Sequence, residues 1–120
     1  METSHKERGD QGEDLAWSYL RAHGHKILER NYACDFGEID LVTLHGDWLH
    51  FVEVKARNND ELGPAIEAIT DTKKSRLRKT ADHYLSTQRI SKAWMPCFSV
   101  VAIDNMDEDP QLEWVPNAFE

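Results

Sequence analysis

Two β-rich segments separated by a Gly-Asp pair constrain the fold of this chain more than any other feature. Residues 38–45 and 48–57 are rich in β-branched and aromatic side chains, and only Gly46 and Asp47 lie between them. A two-residue loop of this composition is typical of a β-hairpin turn. If the pair forms the centre of the turn, His45 faces Trp48, and the numbers of all facing residues sum to 93. The sequence therefore predicts an antiparallel hairpin whose register can be counted from the turn.

This register brings acidic residues of the two strands together. Asp40 falls opposite Glu53 and Glu38 falls opposite Lys55, and all four share one face because strand residues alternate. Facing carboxylates destabilise a sheet unless something compensates, and hard cations such as Mg²⁺ or Mn²⁺ prefer carboxylate oxygens. The opposite face is expected to pack against a helix through Ile39, Leu41, Val52 and Val54.

Two carboxylates with a nearby lysine are the groups that metal-assisted phosphodiester hydrolysis needs. The carboxylates hold the ion, the ion lowers the pKa of bound water, and the lysine orients the nucleophile or stabilises the transition state. The alternative is a solvated sheet face on which cationic side chains separate Asp40 from Glu53.

The rest of the chain predicts helices on either side of the hairpin. Asp10 with Glu13 resembles a capping box for a helix over residues 11–23, and Thr70 is a plausible cap for a second, longer helix. Gly63-Pro64 introduces a short helical turn. Strands are expected at residues 25–34, 98–103 and, as a short edge strand, 112–115. The predicted class is α/β, with an αβββαβ core and a mixed central sheet flanked by helices.

Composition limits the chain to one domain in a reducing compartment. Its 120 residues, 40% of them hydrophobic, suit a single domain over residues 10–120 after a flexible start at 1–9. The two cysteines form no metal or disulfide pattern, and no apolar run is long enough for a membrane helix, so we expect a cytoplasmic protein without a membrane partner. A net charge of −8 disfavours a broadly basic coat for nucleic acid.

The ordered motifs of the chain resemble a known family. Asp40 followed by Glu53-Val54-Lys55 is similar to the D…ExK signature of the PD-(D/E)xK nuclease superfamily. Together with further motifs it resembles the YraN-like family of small bacterial proteins, over about residues 9–119. Those motifs are Gly12-Glu13, Arg30-Asn31-Tyr32, residues 51–57, residues 65–68, Lys73 and residues 116–119.

The resemblance implies a restriction endonuclease-like fold and a DNA endonuclease that uses Mg²⁺ or Mn²⁺. Asp40 and Glu53 would bind the ion, Lys55 would assist the attacking water, and the backbone carbonyl of Val54 would be a further ligand. Branched or otherwise structured DNA is a substrate class suggested by analogy with Holliday-junction resolvases. The same analogy gives Glu13 a place in the metal site and makes a homodimer an expectation.

Three neighbouring residues have two readings each. Glu13 either caps the first helix or reaches the metal site. Glu38 either pairs with Lys55 or supports the metal from outside its ligand shell. Lys73 either reaches the site from the second helix or is a solvated surface lysine.

Phosphate contacts are expected from a basic cluster on the second helix and from the end of the hairpin. These residues are Arg57, Lys74, Arg76, Arg78 and Lys79. The chain departs from the family pattern at Ala33 and Asp35, where basic residues are frequent, and at Ser99, where aspartate is common. The competing function is a non-catalytic module that binds nucleic acid or a protein partner on a nuclease-like fold.

Overall fold

A computed structural model of the chain shows, in the residues that it describes, a five-stranded sheet with one helix on each face. It describes residues 5–57 and 69–120, with the side chains of residues 11–56 and 69–120. The elements in chain order are α1 (His5–Ala22), β1 (Lys26–Cys34), β2 (Gly37–His45), β3 (Trp48–Arg57), α2 (Asp71–Thr87), β4 (Met95–Asp104) and β5 (Gln111–Phe119). The predicted αβββαβ core is confirmed, and β5 extends it at one edge.

The sheet is mixed, as predicted. Its strands lie in the order β1-β2-β3-β4-β5, and only β3 and β4 run parallel. A parallel neighbour requires a crossover connection, and α2 lies in the segment between these two strands. The antiparallel neighbours β2 and β3 are joined by the predicted turn, where Gly46 has φ 61°, a conformation glycine adopts without strain.

Two apolar clusters hold the helices on the sheet. The cluster on the α1 face consists of Ala16, Leu20, Leu41, Val52, Val101 and Ile103, all fully buried. The cluster on the α2 face includes Leu77, Ala81 and Tyr84 of the helix together with Val42, Leu49, Phe51 and Val100 of the sheet. With apolar side chains on both faces, the central strands are enclosed, as in most α/β sheets.

The first helix starts earlier than the sequence predicts. Asp10 lies inside α1, so it is not the N-cap and the predicted capping box with Glu13 does not form. The error arises because residues 5–9 are polar and give no apolar periodicity to mark the first turns. Residues 1–4 of the predicted flexible start, and the predicted turn after Gly63, lie outside the described residues.

The second helix follows the prediction closely. Thr70 adopts an extended conformation, and its Oγ1 accepts a hydrogen bond of 3.1 Å from the Lys73 N–H. This cap satisfies one of the helix's unpaired amides. Leu77, Ala81 and Tyr84 form the buried stripe that the sequence spacing indicates.

The last strand is longer than predicted and continues through Pro116. An edge strand can contain proline because one row of its amides has no partner strand. The pairing with β4 shifts between Phe98 and Val100, and Asn117 there has φ 48°. The Asn117 N–H donates to Ser99 Oγ at 3.1 Å, so a side chain replaces the ladder acceptor.

Candidate metal centre

Strand β1 reverses the faces of its side chains at Asn31. Two residues apart on a regular strand, Arg30 and Tyr32 would point to the same side. Instead, Arg30 forms a 2.7 Å ion pair with Asp14 of α1, whereas the Tyr32 hydroxyl hydrogen-bonds His83 of α2. Between them Asn31 has φ 55°, a left-handed conformation for which asparagine is several-fold enriched.

Strand β2 reverses at the facing position, Asp40. Leu41 packs in the cluster under α1, but Ile39 packs in the cluster under α2. The sequence prediction that Ile39 shares a face with Leu41, Val52 and Val54 is therefore wrong for Ile39, because regular alternation is interrupted at Asp40. The other three do lie together on the α1 side. The reversal turns Glu38 toward the α1 side of the sheet.

The hairpin register is confirmed near the turn and ends short of the acidic residues. In the described hairpin, facing pairs run from His45–Trp48 to Leu41–Val52, as counted from the turn. The predicted ladder pairs of Asp40 with Glu53 and of Glu38 with Lys55 lie beyond this limit and do not form. The strands instead diverge at the position where the carboxylates gather.

Three carboxylates from two elements meet at this divergence. Oxygens of Glu13 on α1 and of Glu38 and Asp40 on β2 lie within 4.8 Å of one another. Glu13 is buried and Glu38 is exposed. When the Asn31 amide is oriented with its nitrogen toward these acids, it donates to Glu38 Oε1 at 2.9 Å and also to Glu13. Of the two readings of Glu13, the structure supports a place in the acidic cluster.

The environment of Asp40 disfavours its charged form. Burial, followed by the negative charge of Glu53, raises the pKa of Asp40 to about 8, against a partial opposing effect of the Val54 N–H. Glu13 raises the pKa of Asp40 further and Lys73 lowers it. A cation bound among these oxygens would offset the repulsion, and the set of carboxylates fits the oxygen ligands of Mg²⁺ or Mn²⁺.

Glu53 lies beside this cluster and faces α2. Its Oε1 is 2.7 Å from Lys73 Nζ, and only 7% of the Glu53 side chain is exposed. Burial lowers the pKa of Lys73, but its hydrogen bond to Glu53 and the charges of Glu53, Asp40 and Glu38 raise it overall. Lys73 is therefore a site neighbour rather than a distant surface lysine.

Val54, Lys55 and Arg57 are the remaining hairpin residues of the predicted site. The structure describes the side chains of Val54 and Lys55. Lys55 is half-buried, two residues beyond Glu53 on the same face of β3. Val54 lies between them, and its N–H donates to Asp40 Oδ2 at 2.8 Å. Arg57 ends β3, and its side chain lies outside the described part of the chain.

The predicted basic cluster of α2 divides into two sides. Lys74 Nζ and the Arg78 guanidinium lie 5.5 and 5.9 Å from the ring centre of Phe119, and Arg78 Nε also donates to the Glu120 carbonyl. Arg76 and Lys79 are exposed. The Arg76 Cβ lies 3.8 Å from the position a Cβ would take on Gly37, at the start of β2. Arg76 is thus the residue of this group that borders the strand carrying Glu38 and Asp40.

Comparison with known proteins decides the family. The sequence model of "Uncharacterised protein family UPF0102" matches residues 12–103. The chain belongs to this family. UPF0102 proteins from Geobacter metallireducens and Shewanella oneidensis are 42% and 44% identical to it, over 100% and 92% of the chain and 98% and 97% of the relative. A UPF0102 protein from Hahella chejuensis is 39% identical over 92% of the chain and 88% of the relative.

This membership confirms the resemblance to YraN-like proteins that the motifs indicated. The match contains Glu13, Asn31, Glu38, Asp40 and Glu53, so every carboxylate of the site lies within the family region. Among the residues that the structure describes, no helix is long and apolar enough to cross a membrane.

A second group of polar residues was missed by the sequence analysis. His25, His45 and His50 come together at the turn end of the hairpin, with ring centres 4.5 Å apart for His25 and His45 and 5.1 Å for His25 and His50. The hairpin register could have placed His45 near His50, since His45 faces Trp48 and His50 lies two residues beyond Trp48 on the same face of β3. His25 precedes β1, so its approach depends on how that strand packs.

Ser99 belongs to this second group and not to the acidic cluster. It is fully buried, and its Oγ lies 2.8 Å from His50 Nδ1. The departure from the family pattern at Ser99 therefore affects the histidine group. Ala33 and Asp35 are both exposed near the turn between β1 and β2, and neither adds a positive charge there.

Proposed function

We propose that this protein is a metal-dependent endonuclease that hydrolyses phosphodiester bonds in DNA. The observation that carries the proposal is the meeting of Glu13, Glu38 and Asp40, whose oxygens lie within 4.8 Å of one another although they come from α1 and β2. A fold that reverses two strands to bring three carboxylates together incurs electrostatic repulsion, and a divalent cation would relieve it.

The ion would be Mg²⁺ or Mn²⁺, held by Asp40 with Glu13, Glu38 and Glu53 as further oxygen donors. Bound there, it would neutralise charge on the phosphate and lower the pKa of a water molecule. The Val54 N–H donates to one Asp40 oxygen at 2.8 Å and so holds this carboxylate in position. The resemblance adds the backbone carbonyl of Val54 to the donor set.

The cationic side chains would act on the substrate. Lys55 shares a strand face with Glu53, where its ammonium can orient an attacking water or stabilise negative charge on the phosphate. Arg76, on the side of α2 nearest β2, is suited to a flanking phosphate, and Arg57 and Lys79 are further candidates for backbone contacts. The preference for branched or structured DNA rests on the family resemblance, as does the homodimer.

The absence of a disulfide between the two described cysteines supports a cytoplasmic location for this activity. Cys34 and Cys97 are both free thiols, as is usual for proteins of a reducing compartment.

A non-catalytic binding module is the second candidate, and the Lys73–Glu53 ion pair favours it. The ammonium lies 2.7 Å from a carboxylate that a nuclease would need for its ion. In a binding module this pair would be permanent, and the basic side of α2 would contact nucleic acid or a protein partner.

A cleavage panel tests the proposed function. Single-stranded, duplex, flapped and four-way DNA would be incubated with the protein in Mg²⁺ and in Mn²⁺, beside the Asp40→Asn and Glu53→Gln variants. We expect cleavage of at least one substrate by the wild type and loss of about 100-fold or more in each variant. Equal cleavage by wild type and variants would overturn the assignment. Metal binding without any cleavage would favour the binding module.

A further inference from the structure

A cavity of about 240 Å³ opens at the turn end of the hairpin, apart from the acidic cluster. Trp48, Trp114 and Pro116 supply its apolar lining, and His50, Cys97 and Asn117 supply polar atoms. His45 also lines the cavity and lies five positions beyond Asp40 along β2, which corresponds to roughly 17 Å of extended strand. The cavity is therefore a separate place on the molecule.

The side chains of the cavity are held in position by one another. His50 Nδ1 lies 2.8 Å from Ser99 Oγ and 3.1 Å from Cys97 Sγ. The same Ser99 oxygen accepts from the Asn117 N–H, which fixes the backbone of the last strand beside the cavity. The His50 ring contacts Trp114 at a centroid distance of 5.2 Å. This is a preorganised lining rather than a loose surface depression.

The geometry does not suit a metal ion. His25 and His45 stack with an interplanar angle of 7°, so their in-plane lone pairs lie in two nearly parallel planes and do not converge on one point. Among the side chains that the structure describes, only the acidic cluster brings three ligand atoms within 4.8 Å of one another. Zinc and similar ions need ligands that converge in a tetrahedral or related arrangement.

The chemistry does not suit a nucleophilic cysteine either. Burial raises the pKa of the Cys97 thiol, so the reactive thiolate is disfavoured. Burial and the charge of His45 lower the pKa of His50 to about 4, so this imidazole is neutral near pH 7. The buried polar atoms around the cavity are thus uncharged hydrogen-bonding groups.

We propose that this cavity binds a planar, uncharged heteroaromatic ring of the nucleobase type. Two indoles, together with imidazole and amide groups, line the cavity. Aromatic side chains that stack, together with polar groups that hydrogen-bond a ring edge, are what proteins use to bind an unstacked base. The volume is below the roughly 300–1,000 Å³ of pockets for drug-sized ligands, so it suits one ring system and not a whole dinucleotide. The ring could be a free nucleoside or a base unstacked from a bound strand, and the second source rests on the proposed function.

The four tryptophans make a direct test available. Trp48 and Trp114 line the cavity, and Trp114 also packs against the cluster under α1. Trp17 and Trp94 pack against the two cores without lining the cavity. In two-dimensional ¹H–¹⁵N spectra of the full chain, we expect adenosine, guanosine, cytidine or thymidine to shift the indole signals of Trp48 and Trp114 only. The proposal would be overturned if all four indole signals shifted. It would also be overturned if no indole signal shifted with any nucleoside or oligonucleotide.

A pair of matched variants makes the test specific. Trp48 and Met95 face each other on β3 and β4, and they are 42% and 45% exposed, but Met95 does not line the cavity. Trp48→Ala should weaken binding of the best ring roughly 5- to 100-fold, as expected for the loss of a stacking surface. Met95→Ala should leave the dissociation constant within about twofold, given that it makes no ring contact. Equal effects would contradict the assignment.

A third variant tests whether the Asn117 side-chain amide hydrogen-bonds the edge of the bound ring. Asn117 has φ 48°, so Asn117→Gly removes the amide while retaining a residue suited to this backbone. We expect weaker binding with unchanged thermal stability, which a folding defect would not produce. If binding is unaffected by both Asn117→Gly and Trp48→Ala, the cavity is not the binding site.

Oligonucleotides distinguish the two sources of the ring. A single-stranded DNA oligonucleotide that shifts the Trp48 and Trp114 signals, and loses this effect when one nucleotide is made abasic, would assign the cavity to a strand base. Shifts with nucleosides alone would assign it to a free ligand. The Asp40→Asn variant should keep these shifts without cutting DNA, so failure of the nuclease proposal would be seen separately.

Discussion

Asp40 Oδ2 accepts a hydrogen bond of 2.8 Å from the backbone N–H of Val54 at the point where the ladder between β2 and β3 ends. The Asp40 carboxylate thus accepts the hydrogen bond that a backbone carbonyl would accept in a regular antiparallel ladder. The bond lets the strands separate without leaving the Val54 N–H unpaired. The same separation leaves space for Glu13 and Glu38 beside Asp40.

Neutralising Asp40 should stabilise the metal-free protein. The pKa of Asp40 is about 8 in the fold, above its ordinary value of 3.8, so the folded state binds the proton more tightly than the unfolded chain. This group's contribution to the free energy of unfolding therefore decreases as pH rises from about 4 to about 8. Asp40→Asn should flatten that decrease and raise stability at pH 7.5 by on the order of 2 kcal/mol, measured by urea denaturation in EDTA.

Asp40→Ala provides the control for the hydrogen bond. An asparagine oxygen can still accept from the Val54 N–H, but alanine cannot. We expect the alanine variant to be less stable than the asparagine variant by about 1–2 kcal/mol. Equal stabilities would mean that this bond does not support the divergence of the strands.

Removing the Asn31 side chain should make stability depend more strongly on divalent cations. Its amide bridges Glu13 and Glu38, and its φ of 55° is one that glycine also adopts. Asn31→Gly therefore removes the bridge without strain and should cost about 1–2 kcal/mol in EDTA. Added Mn²⁺ should recover most of the lost melting temperature. A variant that Mn²⁺ stabilises no more than the wild type would exclude a bridging role.

Lys73 should compete with a metal ion for Glu53. Lys73→Met removes the ammonium that lies 2.7 Å from Glu53 Oε1, so Mn²⁺ should bind about three- to tenfold more tightly in calorimetry. Lys74→Met is the matched control, because Lys74 lies over Phe119 instead. The two substitutions remove the same charge from neighbouring positions, and similar affinities for Mn²⁺ in both would refute the competition.

The two sides of α2 should contribute unequally to DNA binding. Arg76 borders β2, whereas Arg78 Nε is engaged by the Glu120 carbonyl. Arg76→Gln should weaken binding and reduce the slope of log affinity against log salt by about 1, as expected for one lost phosphate contact. Arg78→Gln should change the slope less. Fluorescence anisotropy at several salt concentrations gives both slopes, and a larger change for Arg78 would reverse the assignment.

Acid should destabilise the fold through its buried histidines. Burial lowers the pKa values of His25 and His50 from 6.5 to about 4, with smaller contributions from the charges of neighbouring histidines. The unfolded chain then takes up protons first as pH falls, so the free energy of unfolding decreases between pH 6.5 and 4. His50→Asn should reduce this decrease by about 1 kcal/mol at pH 5, measured by denaturant titration. An unchanged pH profile would show that His50 titrates normally in the fold.

The sequence by itself determined the hairpin and its register as far as Leu41–Val52, the cap at Thr70, and the αβββαβ order. These features depend on turn composition, residue alternation and capping, which act over a few residues and can be counted from the chain. The same counting predicted that Asp40 faces Glu53. The two residues do not pair, although the charge of Glu53 acts on Asp40. The net charge of −8 likewise follows from the composition alone, and it is compatible with a local cluster of basic residues on α2.

Only the tertiary structure decided which carboxylates meet. The strands reverse their faces at Asn31 and Asp40, and Arg30 and Tyr32 then find partners on opposite helices. Regular alternation placed Glu38 opposite Lys55, but the reversal brings it to Glu13 instead. The histidine cavity likewise joins residues from separate strands. Contacts of this kind depend on packing between distant segments, which local patterns do not encode.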